Sequence, residues 1–159
     1  MFRLVVLFAA VALAAGEVPQ IYQKCNVNAD LPVSASVSGC NQAPCLLPQG
    51  QDFALTINFN TPNEVSSMRT QATLFLKLNQ MFLPLPYPLG DNEVTCNHLT
   101  SGQCPAAPGD NLQQVLRIPV ESVFPVGVES DIEVRVVDEQ RNSLVCLRVP
   151  VKVVGPVEA

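Results

Sequence analysis

The residue types that could carry out catalysis cluster around the only histidine of the chain, His98. It follows Cys96 and Asn97 and precedes Thr100 and Ser101, so a Ser-His pair for nucleophilic attack is conceivable. A serine nucleophile of this kind often sits in a strained Gly-x-Ser-x-Gly turn, and the sequence contains none. A solvated loop histidine is the commoner case. We therefore expect no catalytic residue and no enzyme activity.

Acidic side chains offer a second kind of chemistry, because paired carboxylates can cleave glycosides or bind calcium. The candidates are Glu129, Asp131, Glu133, Asp138 and Glu139. Alternation with apolar neighbours places Asp131 and Glu133 on the solvent face of a strand, and Asp138 and Glu139 fall in a hairpin turn. No Gly-rich phosphate loop is present. We expect neither a metal site nor a cofactor.

The six cysteines fall into two short loops and two distant positions. Loop closure favours local pairing of Cys40 with Cys45 and of Cys96 with Cys104, which leaves Cys25 and Cys146. Six cysteines allow fifteen pairings, so this is a preference and not a deduction. A zinc site does not fit, because neither loop has the two-residue spacing of zinc motifs and the chain has one imidazole.

The elements that must position these side chains are β-strands, because apolar residues recur at every second position along most of the chain. The alternation is clearest at 53–60 and 131–136. Further strands are predicted at 33–37, 70–78, 115–120 and 143–154, and a short one at 21–25 could open the sheet. Only 65–80 could be argued as a helix, and its alternation favours a strand. Turn residues separate the strands at the spacing of a β-sandwich, so the predicted fold class is all-β.

Residues 81–89 (MFLPLPYPL) carry no charge and have proline at every second position from Pro84 to Pro88. A proline has no N–H to offer to a sheet, so this run predicts an edge strand or an extended rim and excludes a central strand. Such an apolar run either folds onto the core or borders a cavity between two sheets. An apolar cavity of that kind stays dry until an apolar guest enters.

The N-terminus predicts a secretion signal, because Arg3 precedes an apolar run at 4–13 and small residues follow at 14–16. We expect a signal peptide at 1–16 and one mature domain at 17–159, with three disulfides formed in an oxidising compartment. The net charge of −5 argues against nucleic acid as a partner. No Asn-x-Ser/Thr sequon is present to carry a lysosomal glycan label. We expect a secreted, extracellular monomer.

The mature chain resembles the ML (lipid-recognition) domain family over nearly its whole length. The resemblance rests on the six cysteines and on these motifs: VSGCNQAPC at 37–45, GQ at 50–51, LPLPYP at 83–88, CP at 104–105, IPV at 118–120, FP at 124–125 and VCLRVPV at 145–151. Within that family the chain is most similar to the branch of the Niemann-Pick type C sterol-transfer protein and its arthropod relatives. It is less similar to the Toll-receptor co-receptor branch.

The resemblance implies an immunoglobulin-like β-sandwich of two antiparallel sheets with an apolar cavity between them. It also implies the disulfides Cys25–Cys146, Cys40–Cys45 and Cys96–Cys104. The lipid-binding positions that it implies are Val37, Tyr87, Val120, Phe124 and Pro125. Tyr87 stands where the sterol-transfer relative has phenylalanine and Phe124 where it has tyrosine, so a hydroxyl changes sides of the entrance.

The function that the resemblance implies is a soluble carrier that binds a sterol, a fatty acid or a similar apolar lipid. The carrier would deliver this lipid to a membrane or a receptor. The alternative is an innate-immune or chemosensory protein that presents a bound lipid to a receptor. A presenter of phosphorylated glycolipid needs Lys or Arg around the mouth, and residues 81–94 contain neither.

Overall fold

The computed structural model describes residues 20–158, which form a sandwich of two β-sheets. The predicted signal peptide at 1–16 lies outside these residues. The strands in chain order are β1 (Gln23–Lys24), β2 (Ser34–Val37), β3 (Cys45–Pro48), β4 (Asp52–Asn60), β5 (Met68–Leu78), β6 (Met81–Tyr87), β7 (Leu99–Ser101), β8 (Asn111–Pro119), β9 (Glu129–Asp138) and β10 (Ser143–Val154). Two 3-10 turns, Gly90–Glu93 and Thr95–His98, connect β6 to β7. Neither of these short turns could cross a membrane, and the described part of the chain holds no spanning helix.

The larger sheet has the order β1-β10-β9-β5-β6, with β3 also paired to β10, and the smaller sheet has the order β2-β4-β8-β7. This arrangement confirms the predicted all-β sandwich. Within residues 20–158 every strand pair is antiparallel except β3 with β10, which is parallel. The direction of β3 is free to differ because about a hundred residues separate it from β10, so no tight turn links the two strands.

Strand β4 shows how the sequence pattern builds the core. Its apolar residues point inward and are buried, and the residues between them are half exposed: Phe53, Leu55, Ile57 and Phe59 are the buried set. Because side chains alternate across a strand, this pattern gives β4 one apolar face. β4 pairs with β8 along its whole length, and the two strands present that face to the larger sheet.

The segment 65–80 contains β5, so the strand prediction there is also confirmed.

The proline-rich run forms β6, an edge strand that within the described part of the chain pairs only with β5. A proline inside a paired strand must turn its nitrogen to the free side, so Pro84 and Pro86 leave that edge short of N–H donors. The edge is therefore a poor template for pairing with another chain. The apolar side chains of β6 do not fold onto the core, because Met81 is 73% exposed and Leu83 is 46% exposed.

A buried ion pair lies on the outer face of the larger sheet, so the prediction that Glu133 faces solvent is wrong. Glu133 is 7% exposed, and its Oε2 accepts a hydrogen bond from Arg148 Nε at 2.6 Å. The guanidinium of Arg148 lies 3.9 Å from the centre of the Phe75 ring. Directly opposite positions on β9 and β10 bring these two charges together, and a pattern within one strand cannot show that register.

Asp131, which the sequence pattern predicted to face solvent, lies on the same face and is half buried. Burial raises the pKa of its carboxyl, and the charges of Arg148 and Lys77 partly oppose that rise. Asp138 does lie at a hairpin turn, where its side chain accepts hydrogen bonds from the backbone N–H groups of Gln140 and Asn142.

All six cysteines are paired in the structure, as Cys25–Cys146, Cys40–Cys45 and Cys96–Cys104. These are the pairs that the resemblance implies. Cys25 and Cys146 lie close to Glu133, but their sulfurs are bonded to each other. Thiolates are therefore not available to bind a metal with that carboxylate.

Candidate functional site

An apolar cavity of about 50 Å³ lies between the two sheets at one end of the sandwich. Both sheets and the loop that follows β8 contribute to its wall. The lining residues are Leu47, Phe53, Leu74, Leu76, Tyr87, Ile118, Pro119, Val120, Phe124, Val128, Ser130, Ile132, Val151 and Val153. Because each contributing strand turns alternate side chains inward, the wall is built from the same parity that forms the core.

The chemistry of this wall is almost wholly apolar. The only side-chain polar groups in the lining are the hydroxyls of Tyr87 and Ser130, and the lining includes no acidic, basic or histidine side chain. Burial and, to a lesser degree, the negative charge of Glu121 raise the pKa of Tyr87 above its usual value of 10.0, so this hydroxyl keeps its proton at neutral pH. Such a site can hold an apolar molecule but lacks the groups for acid-base or metal chemistry.

Three of the five predicted lipid-binding residues come together at the cavity, namely Tyr87, Val120 and Phe124. Val37 is buried in β2, where it pairs with Leu55, and it does not line the cavity. Pro125 is exposed on the loop and does not line it either. Val37 faces inward opposite Leu55, which does not line the cavity either, whereas Pro125 faces solvent. A motif alignment does not show how far along the inner face the space extends.

Sequence analysis missed most of the wall, including Leu74 and Leu76 of β5, Ile132 of β9 and Ser130, which is buried. The alternation in β5 and β9 already shows which residues share an inward face. It does not show which stretch of that face lies beside a gap, because the gap depends on how the sheets meet.

The entrance to the cavity is bordered by the inner face of β5 and β6. Leu83 and Leu85 of β6 lie opposite Leu76 and Leu74 of β5, and directly opposite residues share a face. The apolar surface of the cavity therefore continues outward over β6. We call its exposed part, formed by Leu78, Met81, Leu83 and Leu85, the apolar ledge.

The other side of the entrance is the loop at 120–128, which is hydrogen-bonded to the body of the domain. The Gln49 side-chain amide donates to the carbonyl oxygens of Phe124 at 2.8 Å and Ser122 at 3.3 Å. The Gly127 N–H donates to the Val153 carbonyl oxygen at 2.8 Å. Within residues 20–158 no hydrogen bond joins this loop to β6. The gap between the loop and β6 can therefore widen without breaking one.

At the opposite end, buried hydrogen bonds tie the two sheets together. Gln114 Nε2 of β8 donates to Thr70 Oγ1 of β5 at 2.7 Å, and the hydroxyls of Thr70 and Thr95 lie 2.7 Å apart. Thr70 lies four residues from Leu74, about 13 Å along the strand. The far end of the sandwich is thus fastened by buried polar groups. At the cavity end, hydrogen bonds tie the loop at 120–128 to the body of the domain, and none is found between this loop and β6 among residues 20–158.

His98 takes no part in either end. Its Nε2 lies 3.0 Å from the Asp91 carbonyl oxygen, to which the ring can donate a hydrogen bond. Thr100 bonds instead to the side chain of Gln113 at 2.8 Å. The structure thus gives His98 a role in the packing of its loop, and among the described residues no serine hydroxyl forms a hydrogen bond with it.

Residues 20–153 match the family model described as ML domain. Two curated relatives bear the name NPC intracellular cholesterol transporter 2. The relative from Danio rerio is 28% identical over 124 residues, covering 77% of each chain. The relative from Mus musculus is 26% identical over 150 residues, covering 94% of each chain.

Two solved structures share the fold. A Niemann-Pick type C2 protein from the Japanese carpenter ant superposes with a TM-score of 0.70 at 18% identity, covering 84% of this chain and 99% of that one. Chicken MD-1 complexed with lipid IVa superposes with a TM-score of 0.50 at 17% identity, covering 82% of this chain and 86% of that one. At these identities the likeness concerns the fold alone.

Proposed function

The chain belongs to the ML-domain family, whose members are lipid-binding proteins and not enzymes. We propose that it is a secreted carrier of an apolar lipid. The mature protein, residues 17–159, takes up the lipid between its two sheets. It acts as a monomer in extracellular fluid and delivers its guest to a membrane or a receptor. The curated relatives are named as cholesterol transporters, so a sterol is the first guest to test.

The observation that carries this proposal is the apolar cavity together with its open continuation over the apolar ledge. A closed core would bury these leucines, yet Leu83 and Leu85 remain 46% and 40% exposed beside the cavity wall. Contiguous apolar surface that stays in contact with water commonly marks a binding site. Two hydroxyls are the only polar side-chain groups in the lining, so the guest is held by buried area and shape.

Uptake requires the sheets to move apart at the cavity end. The cavity measures about 50 Å³, whereas sites for drug-sized ligands enclose roughly 300–1,000 Å³. The Gln114–Thr70–Thr95 hydrogen bonds hold the far end. Widening therefore occurs between the loop at 120–128 and β6, where apolar contacts separate and re-form around the guest.

Presentation of a lipid to an immune receptor is the alternative role within the family, and no observation on this chain favours it. A phosphorylated head group needs cationic partners at the mouth. No Lys or Arg lines the cavity, and residues 81–94 contain none.

The carrier proposal is tested by mass spectrometry of an organic extract of the natively secreted protein, followed by titration of delipidated protein with a fluorescent sterol. We expect a co-purified apolar lipid and saturable binding of one probe per chain. Phe124→Asp places a charge in the cavity wall and should remove binding. Its neighbour Val123 is 72% exposed on the same loop and does not line the cavity, so Val123→Asp should leave binding intact. An empty extract together with non-saturable uptake contradicts the proposal.

A further inference from the structure

The loop at 120–128 carries a carboxylate beside the cavity entrance. Glu121 lies directly after Val120 and three residues before Phe124, both of which line the cavity. A turn holds this stretch, because the Phe124 N–H donates to the Glu121 carbonyl oxygen at 3.1 Å. Glu121 itself is exposed and forms no ion pair among the described residues. Its charge is therefore not neutralised by a neighbouring cation.

The Glu121 carboxylate acts across the entrance on Tyr87, the residue of β6 that lines the cavity. After burial, the negative charge of Glu121 is the second cause of the raised pKa of Tyr87. Tyr87 belongs to one side of the entrance and Glu121 to the other. A lipid that buries its apolar part in the cavity leaves its head group at this entrance, within the field of Glu121 and in reach of the Tyr87 hydroxyl.

We propose that Glu121 determines head-group specificity, so that the site takes lipids with an uncharged hydroxyl head group and disfavours free fatty acids. This inference rests on the carrier function proposed above. A fatty acid is ionised at neutral pH, and its carboxylate would lie near that of Glu121 with no cation in the cavity wall to offset the repulsion. A hydroxyl head group carries no charge and can donate a hydrogen bond to the Tyr87 hydroxyl oxygen or to the Glu121 carboxylate.

The size of the effect follows from two like charges in a largely aqueous setting. Two like charges that lie close together in water repel each other weakly, and the repulsion grows where the dielectric constant is lower. Screening by salt reduces the repulsion at an exposed site. The discrimination against an anionic guest that is due to Glu121 alone is therefore about threefold to tenfold at low ionic strength.

The test compares palmitate with hexadecanol, which have the same chain length and differ in the head group. Each is used to displace a fluorescent sterol from the delipidated protein at neutral pH and low salt. Glu121→Gln should raise the affinity for palmitate by about threefold to tenfold and change that for hexadecanol by less than about twofold. Glu121→Lys should raise the palmitate affinity further. Glu64, an exposed acidic residue that does not line the cavity, provides the control, and Glu64→Gln should change neither affinity.

The possible failures are distinguishable. If wild type binds both lipids and the ratio of their affinities is the same in Glu121→Gln, the head-group inference is overturned and the carrier function stands. An equal change in Glu64→Gln also overturns it, because the effect would then come from net charge. If wild type binds neither lipid nor the sterol probe, the carrier function fails and the inference fails with it.

Discussion

Replacing Val120 by Phe should weaken lipid binding while leaving the fold intact. Val120 is 5% exposed and lines the cavity between the sheets. The larger side chain enters a space of about 50 Å³ that the protein leaves unfilled, so it displaces no core residue. It does occupy the volume that the guest requires. The expected result is a loss of affinity with little change in thermal stability.

The magnitude can be estimated from the area that the guest no longer buries. If the phenyl ring excludes two to three methylenes of a lipid, at about 0.8 kcal/mol each, the binding free energy weakens by about 2 kcal/mol. Because about 1.4 kcal/mol corresponds to a tenfold change, the dissociation constant should rise roughly thirtyfold. A fluorescent sterol titrated into wild type and variant measures this change, and a thermal melt of each protein measures stability.

Val37 provides a matched control, because it has the same residue type and the same 5% exposure but does not line the cavity. Val37→Phe inserts its ring into a packed core, which typically costs about 1–3 kcal/mol. For a domain of this size, the melting temperature should fall by about 3–12 °C. If Val120→Phe melts as low as Val37→Phe, the space between the sheets was already filled and the cavity argument is wrong. If Val120→Phe binds sterol as well as wild type, Val120 does not face the guest.

Three further predictions concern stability. Arg148→Met should lower the free energy of unfolding by about 3–5 kcal/mol, because it leaves the buried carboxylate of Glu133 unpaired. Adding Glu133→Gln should restore most of the lost stability, and denaturant titration of both variants measures these changes. Replacing Cys25 and Cys146 by Ser together opens a loop spanning 121 positions, so unfolding in urea should show a loss of about 5 kcal/mol, and a loss under 1 kcal/mol contradicts the chain-entropy estimate. The raised pKa of Asp131 means that its stabilising contribution is present below its unfolded pKa of 3.8 and is lost as pH rises through the higher folded value. Asp131→Asn should therefore gain stability relative to wild type between about pH 4 and pH 7, and melts that show the opposite trend refute the assignment.

The strands could be predicted from the sequence because their signal is local. In β4 one face meets the core, so Phe53, Leu55, Ile57 and Phe59 recur at every second position. The edge position of β6 is equally local, since Pro84 and Pro86 cannot serve a strand that pairs on both sides. In each case a property of single residues decides the outcome.

The features that sequence analysis missed depend on register between distant strands. Glu133 has the alternation of a solvent-facing residue, but β10 places Arg148 opposite it and the nearby Cys25–Cys146 disulfide helps to cover it. Val37 belongs to a motif beside the cavity, yet the pairing of β2 with β4 directs it into the closed core. One sequence does not contain the register that separates these outcomes.

The small size of the cavity bears on selectivity as well as on entry. The apolar walls lie close together in this structure, so most of the lining is already hidden from water. A guest therefore gains only the surface that it buries itself, and it must also replace the contacts that the walls make with each other. A lipid too short to touch both sheets cannot replace them, whereas one that fills the gap and lies against the apolar ledge can. Affinity should accordingly rise steeply with the apolar length of the guest until the space between β5, β8 and the loop at 120–128 is filled.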